Sequence, residues 1–193
     1  MPKKLDPYGV VHGRFQPLHI GHLHYILKGL KNCEKLIIGI TNSDPTQIQF
    51  EESEPNRNLE SYNPFTFFER LTMVTSALVN DEGVQSSRFF VVPFPIHNAN
   101  RWKYYLPDNA VHYISLTTEW DRTKLFRMRE IGFKAIEIGR ERYKGISGTE
   151  IRQLMIEGKD WKSLVPKSVA EIIDNFNGEK RVQELAQKES RKN

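Results

Sequence analysis

The segment YGVVHGRFQPLHIGHLHYILKGLKNCEKLIIGIT, residues 8–41, reads as strand, loop, helix and strand in succession. Residues 8–12 are a short β-rich run, and Gly13 to Pro17 form a loop. In the next stretch Leu23, Ile26, Leu27 and Leu30 recur at i, i+3, i+4 and i+7, one face of a helix over about 22–30. Residues 35–41, KLIIGIT, are an almost unbroken aliphatic run bounded by polar residues. Such a run suits a strand buried on both faces of a parallel sheet. One βαβ unit is therefore complete by residue 41.

The same alternation continues outward. Residues 42–63 are polar, with Pro45, Pro55 and four glutamates, and read as one long loop. A helix is expected from Pro64 to about Val79, where Phe67, Leu71, Val74 and Leu78 share a face. Strands follow at 89–93, 110–115 and 133–138, with a helix over 121–131 between the last two. Beyond residue 146 the pattern is helical, at 149–157, at 166–176 and in a tail from Glu179 whose last five residues read as frayed. Pro166 suits a first helical turn and Gly158 a helix stop. Alternating β and α segments imply α/β class, a doubly wound, mostly parallel, Rossmann-like sheet with a short helical C-terminus. Ligands of such sheets bind at the carboxyl ends of the strands. Residues 1–145 are read as the core, and 146–193 as C-terminal helices of the same domain.

Composition agrees with a water-soluble globular chain. Of 193 residues, 38% are hydrophobic, 11% aromatic and 27% charged. No apolar run approaches the ~20 residues that span a bilayer, and the N-terminus has no leader pattern, so no membrane partner and a cytoplasmic location are expected. The net charge of +4 permits an anionic ligand. The tail from Glu179 interleaves five basic with three acidic residues, a solvated helix rather than a strip that tracks nucleic acid. The single cysteine, Cys33, excludes an intrachain disulfide and is read as a half-buried filler at a helix end.

Chemistry concentrates at the first strand–helix junction, GRFQPLHIGH at 13–22. Backbone N–H groups and the helix dipole favour a phosphate there. His19 and His22, three apart, can aim both imidazoles into one pocket, and Gly21 leaves room for a ligand. A second junction, ISGTEIR at 146–152, places Ser147, Gly148 and Thr149 at a helix start, where the hydroxyls can also serve as simple caps. Arg152 lies in the first turn of that helix. The dipole disfavours a cation there, so an anionic ligand is the better explanation.

These two motifs resemble those of the nucleotidylyltransferase superfamily: His19-Ile20-Gly21-His22 after a strand, and Ile146-Ser147-Gly148-Thr149-Glu150-Ile151-Arg152 at a helix start. Four collinear blocks, GRFQPLHIGHLHYI at 13–26, NPFTFFERLTMV at 63–74, PFPIHNANRW at 93–102 and YKGISGTEIRQLMIEGKDWKSLVPKSV at 143–169, are similar to archaeal-type nicotinamide mononucleotide (NMN) adenylyltransferases. The lysine-rich second loop of aminoacyl-tRNA synthetases is absent, and the length leaves no room for a tRNA-binding domain.

The resemblance implies ATP plus NMN giving NAD and pyrophosphate by in-line attack on the α-phosphorus, with no enzyme nucleophile. It implies His19, His22 and Arg152 as catalytic residues, and Gly13, Arg14, Phe15, Gln16, Gly21, Ser147, Gly148 and Thr149 around ATP. Arg140 and Arg142 are weaker candidates for phosphate contacts. Asn98, Asn100 and Trp102 fall where the family receives the nicotinamide ring; read from the residues alone, Trp102 is a core or subunit-contact anchor. Mg²⁺ carried mainly by the ATP phosphates is implied. No protein ligand for it is assigned, because Asp44, the nearest candidate, reads better as a turn cap beside Pro45. Family members form symmetric oligomers, so a homo-oligomer is implied, with Trp161 and the C-terminal helices as candidate contacts. The chain departs from the family at the longer acidic loop 42–62, at Tyr62 where an arginine is common, and at residues 115–120 beside the nucleotide base. Another acceptor, such as nicotinic acid mononucleotide or another phosphate or phosphonate, and CTP in place of ATP, are the alternatives that these departures leave open.

Overall fold

In the computed structural model, which describes residues 4–48, 59–116, 119–139 and 146–191, five strands form one all-parallel sheet. They are β1 (Asp6–Gly13), β2 (Cys33–Ile40), β3 (Phe89–Pro93), β4 (Val111–Ile114) and β5 (Ala135–Glu137), in the order β3-β2-β1-β4-β5. The order reverses between β1 and β4, so the crevice at their carboxyl ends is the topological switch point where α/β sheets take ligands. Register is continuous from Asp6↔Cys33 to Gly13↔Ile40 between β1 and β2, and Val10 stands beside His112 of β4.

The period-2 geometry of a strand splits the apolar runs between two layers. Val11, Leu36, Ile38 and Ile40 face one layer. It contains α1 (Ile20–Leu30), α2 (Phe67–Ser76), α4 (Gly148–Ile156), α5 (Lys167–Asn175) and α6 (Gly178–Ser190). Val10, Ile37 and Ile114 face the other layer, with Leu125 and Met128 of α3 (Glu119–Glu130) and the aromatic pair Phe94 and Trp102.

Several sequence expectations are corrected by packing. α2 begins at Phe67, because Thr66 caps it and Glu69 closes the reciprocal capping box, so Pro64 and Phe65 lie before it. A widened π-turn, Ala77–Asp81, follows it. The loop expected at 42–63 contains short 3₁₀ turns, Pro45–Gln47 and Glu60–Tyr62, and residues 49–58 of it lie outside the described residues. A further 3₁₀ stretch, Ala99–Tyr104, carries Trp102.

Cys33 is fully buried as the first residue of β2 rather than half-buried at a helix end. Trp161, a candidate subunit contact, is 2% exposed and belongs to the core. The described part of the tail, to Arg191, is not frayed, and Lys192 and Asn193 lie outside the described residues. α6 runs to Ser190, buries Val182, and reaches back so that Glu189 accepts bonds from Ser61 N–H (3.2 Å) and Oγ (2.6 Å), while Arg181 pairs with the nearly buried Glu69 at 2.8 Å. No helix of the described residues is long and apolar enough to cross a membrane.

One buried polar group has a measurable cost. His112 of β4 is fully buried between Trp102 and Phe133, with ring centroids 5.3 and 5.4 Å away, and neither ring nitrogen has a hydrogen-bond partner among the described residues. Burial pushes its pKa down from 6.5 to about 4. Above pH 6.5 it is neutral in both states. As pH falls from 6.5 towards 4, the unfolded chain takes up a proton that the folded chain does not, so stability falls. Urea unfolding of His112→Leu should therefore lose about 2 kcal/mol less than the parent between pH 7.5 and pH 5. At pH 7.5 the variant should match or exceed the parent.

Candidate active site

β1 ends at Gly13, and the chain turns through Arg14 to Leu18 before α1 begins. Phe15 holds this turn with a left-handed φ of 52° and is fully buried. Gln16, 3% exposed, locks it to the segment before α2, its Nε2 donating to Phe65 O (2.8 Å) and its Oε1 accepting from Phe65 N–H (2.9 Å). The amide thus mimics a backbone pairing, so the Gln16 side chain serves the turn itself.

His19 is the N-cap of α1, with Nδ1 accepting the His22 N–H at 3.2 Å. An Nδ1 that accepts a backbone N–H carries no proton, which leaves Nε2–H as the donor of the neutral ring. The two imidazoles stack with centroids 3.6 Å apart, and Phe15 meets the His22 ring edge-on at 5.0 Å. Burial pushes the His19 pKa down to about 4. His22 is held well below its ordinary value, first by burial and then by His19 and Arg14, against an opposing backbone bond at Pro17. Both rings are neutral donors at pH 7 and would gain from an anion placed beside them.

The second junction closes on the first. Ser147 caps α4 by accepting the Glu150 N–H at 3.1 Å. Gly148 sits where a Cβ would come within 2.8 Å of Gln16 O, so only glycine allows the start of α4 to approach the β1–α1 turn this closely. Arg152, 4% exposed, donates from Nη1 to Gln16 O (2.6 Å) and from Nη2 to Thr149 Oγ1 (3.1 Å). The Tyr62 ring lies 4.9 Å from its guanidinium carbon. Burial, then repulsion from Arg14, lowers its pKa to about 10, partly offset by Tyr62, and it remains a cation at pH 7. Arg14 therefore lies near enough to both His22 and Arg152 to depress each.

Gly13, Arg14, Phe15, Gln16, His19, Gly21, His22, Ser147, Gly148, Thr149 and Arg152 thus meet at two helix N-termini at the carboxyl edge of β1. Arg140 and Arg142 lie outside the described residues. Asp44 caps the turn Pro45–Gln47, accepting from Thr46 N–H (2.9 Å) and Oγ1 (2.7 Å). The three acceptor candidates differ in burial. Asn98 and Asn100 are exposed, whereas Trp102 is 3% exposed, its indole N–H donating to Pro95 O at 2.9 Å. Phe94, His112 and Phe133 surround the indole with centroids 4.9–5.3 Å away, the arrangement of a core anchor.

Sequence reasoning gave no role to Arg70, which is 1% exposed and donates from Nη1 to Arg14 O of the β1–α1 turn at 2.8 Å. The signal that could have found it is the capping-box pattern Thr66-Phe67-Phe68-Glu69, which starts α2 just before Arg70 and leaves a cation in the first turn, where the helix dipole disfavours it.

The family model described as cytidylyltransferase-like matches residues 10–154. A phosphonoformate cytidylyltransferase of Streptomyces viridochromogenes is 39% identical over 174 residues, covering 90% of this chain and 94% of that protein. A nicotinamide-nucleotide adenylyltransferase of Thermococcus onnurineus is 35% identical over 188 residues, covering 96% of this chain and 90% of that one. Among solved structures, a bifunctional NMN adenylyltransferase/ADP ribose pyrophosphatase from Francisella tularensis superposes with a TM-score of 0.69 at 22% identity, over 96% of this chain and 54% of its own. That likeness is one of fold.

Proposed function

This chain belongs to the cytidylyltransferase-like family and is a nucleotidyltransferase, and we propose that it transfers a cytidylyl group from CTP to an oxygen of a small phosphonate, releasing pyrophosphate. An acceptor oxygen attacks the α-phosphorus, a P–O bond forms, and the bond to the β-phosphate oxygen breaks. The electron pair leaves with pyrophosphate. No covalent enzyme intermediate is required, so catalysis is positioning plus charge stabilisation. His19 Nε2–H and the His22 ring donate to phosphate oxygens, while Arg14 and Arg152 offset the charge that builds on the leaving group. Among the described residues no three His, Cys, Asp or Glu side chains are grouped to hold a metal ion. Mg²⁺ carried by the triphosphate would neutralise phosphate charge and enter with the substrate.

The buried Trp102 carries the choice of acceptor. With both faces packed in the core, it leaves no open indole face for a pyridinium ring, which favours an acceptor smaller than a mononucleotide. Identity to the phosphonoformate enzyme supports the same choice, and the altered 115–120 segment beside the nucleotide base supports CTP over ATP. The second reading is NAD formation from ATP and NMN, favoured by the four collinear blocks and by relatives such as the Thermococcus enzyme. Pyrophosphate release should be measured with ATP or CTP against phosphonoformate, other small phosphonates, NMN and nicotinic acid mononucleotide. CTP with a small phosphonate is expected to give the fastest turnover. NAD formation from ATP and NMN without CTP turnover would overturn the cytidylyl reading in favour of the second.

A further inference from the structure

Arg70 is a buried cation with no carboxylate partner among the described residues. Its neighbour Glu69 is already paired with Arg181 at 2.8 Å. Burial, then repulsion from Arg14, lowers the Arg70 pKa to about 10 against an opposing attraction from Glu69, so the charge persists at pH 7. Four of its five N–H donors are taken by main-chain carbonyls. Nη1 donates to Arg14 O (2.8 Å) and Thr41 O (2.7 Å), Nη2 to Asn42 O (2.8 Å) and Nε to Thr66 O (3.2 Å). One side chain thus ties together the turn after β1, the turn after β2 and the start of α2. Such a group is costly to bury, and carbonyl dipoles solvate the charge without cancelling it.

The chosen carbonyls have a directional consequence. In a trans peptide the N–H points opposite to the C=O. Holding the carbonyls of Arg14, Thr41 and Asn42 against the guanidinium turns the N–H groups of Phe15, Asn42 and Ser43 to the far side. Two of those residues, Phe15 (φ 52°) and Asn42 (φ 50°), adopt the left-handed conformation that non-glycine residues rarely hold without support. None of the three N–H groups meets an acceptor among the described residues, and Phe15 is fully buried. Successive N–H groups turned to one side by such alternations form an anion-binding nest.

We propose that Arg70 is a positioning residue for nucleotidyl transfer: it clamps the carbonyls of the two strand-end turns so that the N–H groups of Phe15, Asn42 and Ser43 face the triphosphate. The proposal rests on the nucleotidyltransferase reading and gives the otherwise unassigned turn after β2 a part in the same site. Arg70 itself acts through the backbone and does not touch substrate.

The test uses the full chain and inorganic pyrophosphate as probe. In the parent, titration with pyrophosphate should shift the amide resonances of Phe15, Asn42 and Ser43. Arg70→Lys keeps the charge but not the fork, and should weaken pyrophosphate binding and raise the KM for the nucleoside triphosphate by about tenfold, with acceptor KM unchanged. Arg70→Ala should be weaker by about a hundredfold and be partly restored by added methylguanidinium. Unshifted amides in a parent that binds pyrophosphate would overturn the proposal. So would a variant that melts earlier yet binds pyrophosphate like the parent, or one whose acceptor KM rises as much as its triphosphate KM. A parent that binds neither pyrophosphate nor any nucleoside triphosphate would instead remove the transferase reading beneath it.

Discussion

Arg152→Ala is expected to lower kcat/KM for the nucleoside triphosphate by about 10³-fold, the scale of an arginine that stabilises phosphoryl-transfer charge. Its placement is the reason. A guanidinium that is 4% exposed, near the N-terminal end of α4 and repelled by Arg14, is only partly compensated by Tyr62 and gains from an anion beside it. Its two bonds, to Gln16 O and Thr149 Oγ1, aim the fork rather than neutralise it. Negative charge on the leaving pyrophosphate grows as the bond breaks, so the loss should fall mainly on kcat.

Arg152→Lys, which keeps charge without the fork, should recover about tenfold of it. The alanine variant also deprives Gln16 O of its donor, and a loosened turn would raise KM and lower the melting temperature together. A change in kcat/KM below tenfold, or a loss confined to KM and accompanied by early melting, would remove Arg152 from the catalytic set.

Strands and helices that bury regular apolar faces were legible from the residues. The aliphatic run of β2 and the i, i+3, i+4, i+7 pattern of α1 state their own periodicity, and the histidines and Arg152 announce themselves by standing at helix starts. What was not legible depends on partners that carry no sequence identity. Arg70 bonds to carbonyls 28, 29 and 56 residues away, and any residue supplies a carbonyl. α6 reads as a solvated tail because, beside the buried Val182, its hold on the fold includes long-range polar contacts such as Arg181 to Glu69 and Glu189 to Ser61, across 112 and 128 residues. The same limit explains His112 and Trp102. A strand pattern says which face a side chain takes, not whether a 3₁₀ segment from elsewhere will cover it, and here Ala99–Tyr104 buries both.

The largest separable effect belongs to His19, because its two ring nitrogens do different work. Nδ1 caps α1, while Nε2–H is the donor left for phosphate. Plain deletion of the ring would confuse the two, since losing an N-cap costs about 1 kcal/mol by itself. Asparagine keeps an oxygen that can accept the His22 N–H and is among the best N-caps, yet it places no donor where Nε2 stood. His19→Asn should therefore unfold in urea within about 0.5 kcal/mol of the parent at pH 7.5. Its kcat should fall by about 10²- to 10³-fold, as for removal of one donor to transition-state charge. His22→Ala, which disturbs no cap, should show a loss of the same size. The double variant should fall short of the product of the two, because the stacked rings act on one phosphate as a unit. Full activity in His19→Asn would assign the ring to capping alone, and strictly multiplicative losses would show that the two histidines act on separate groups.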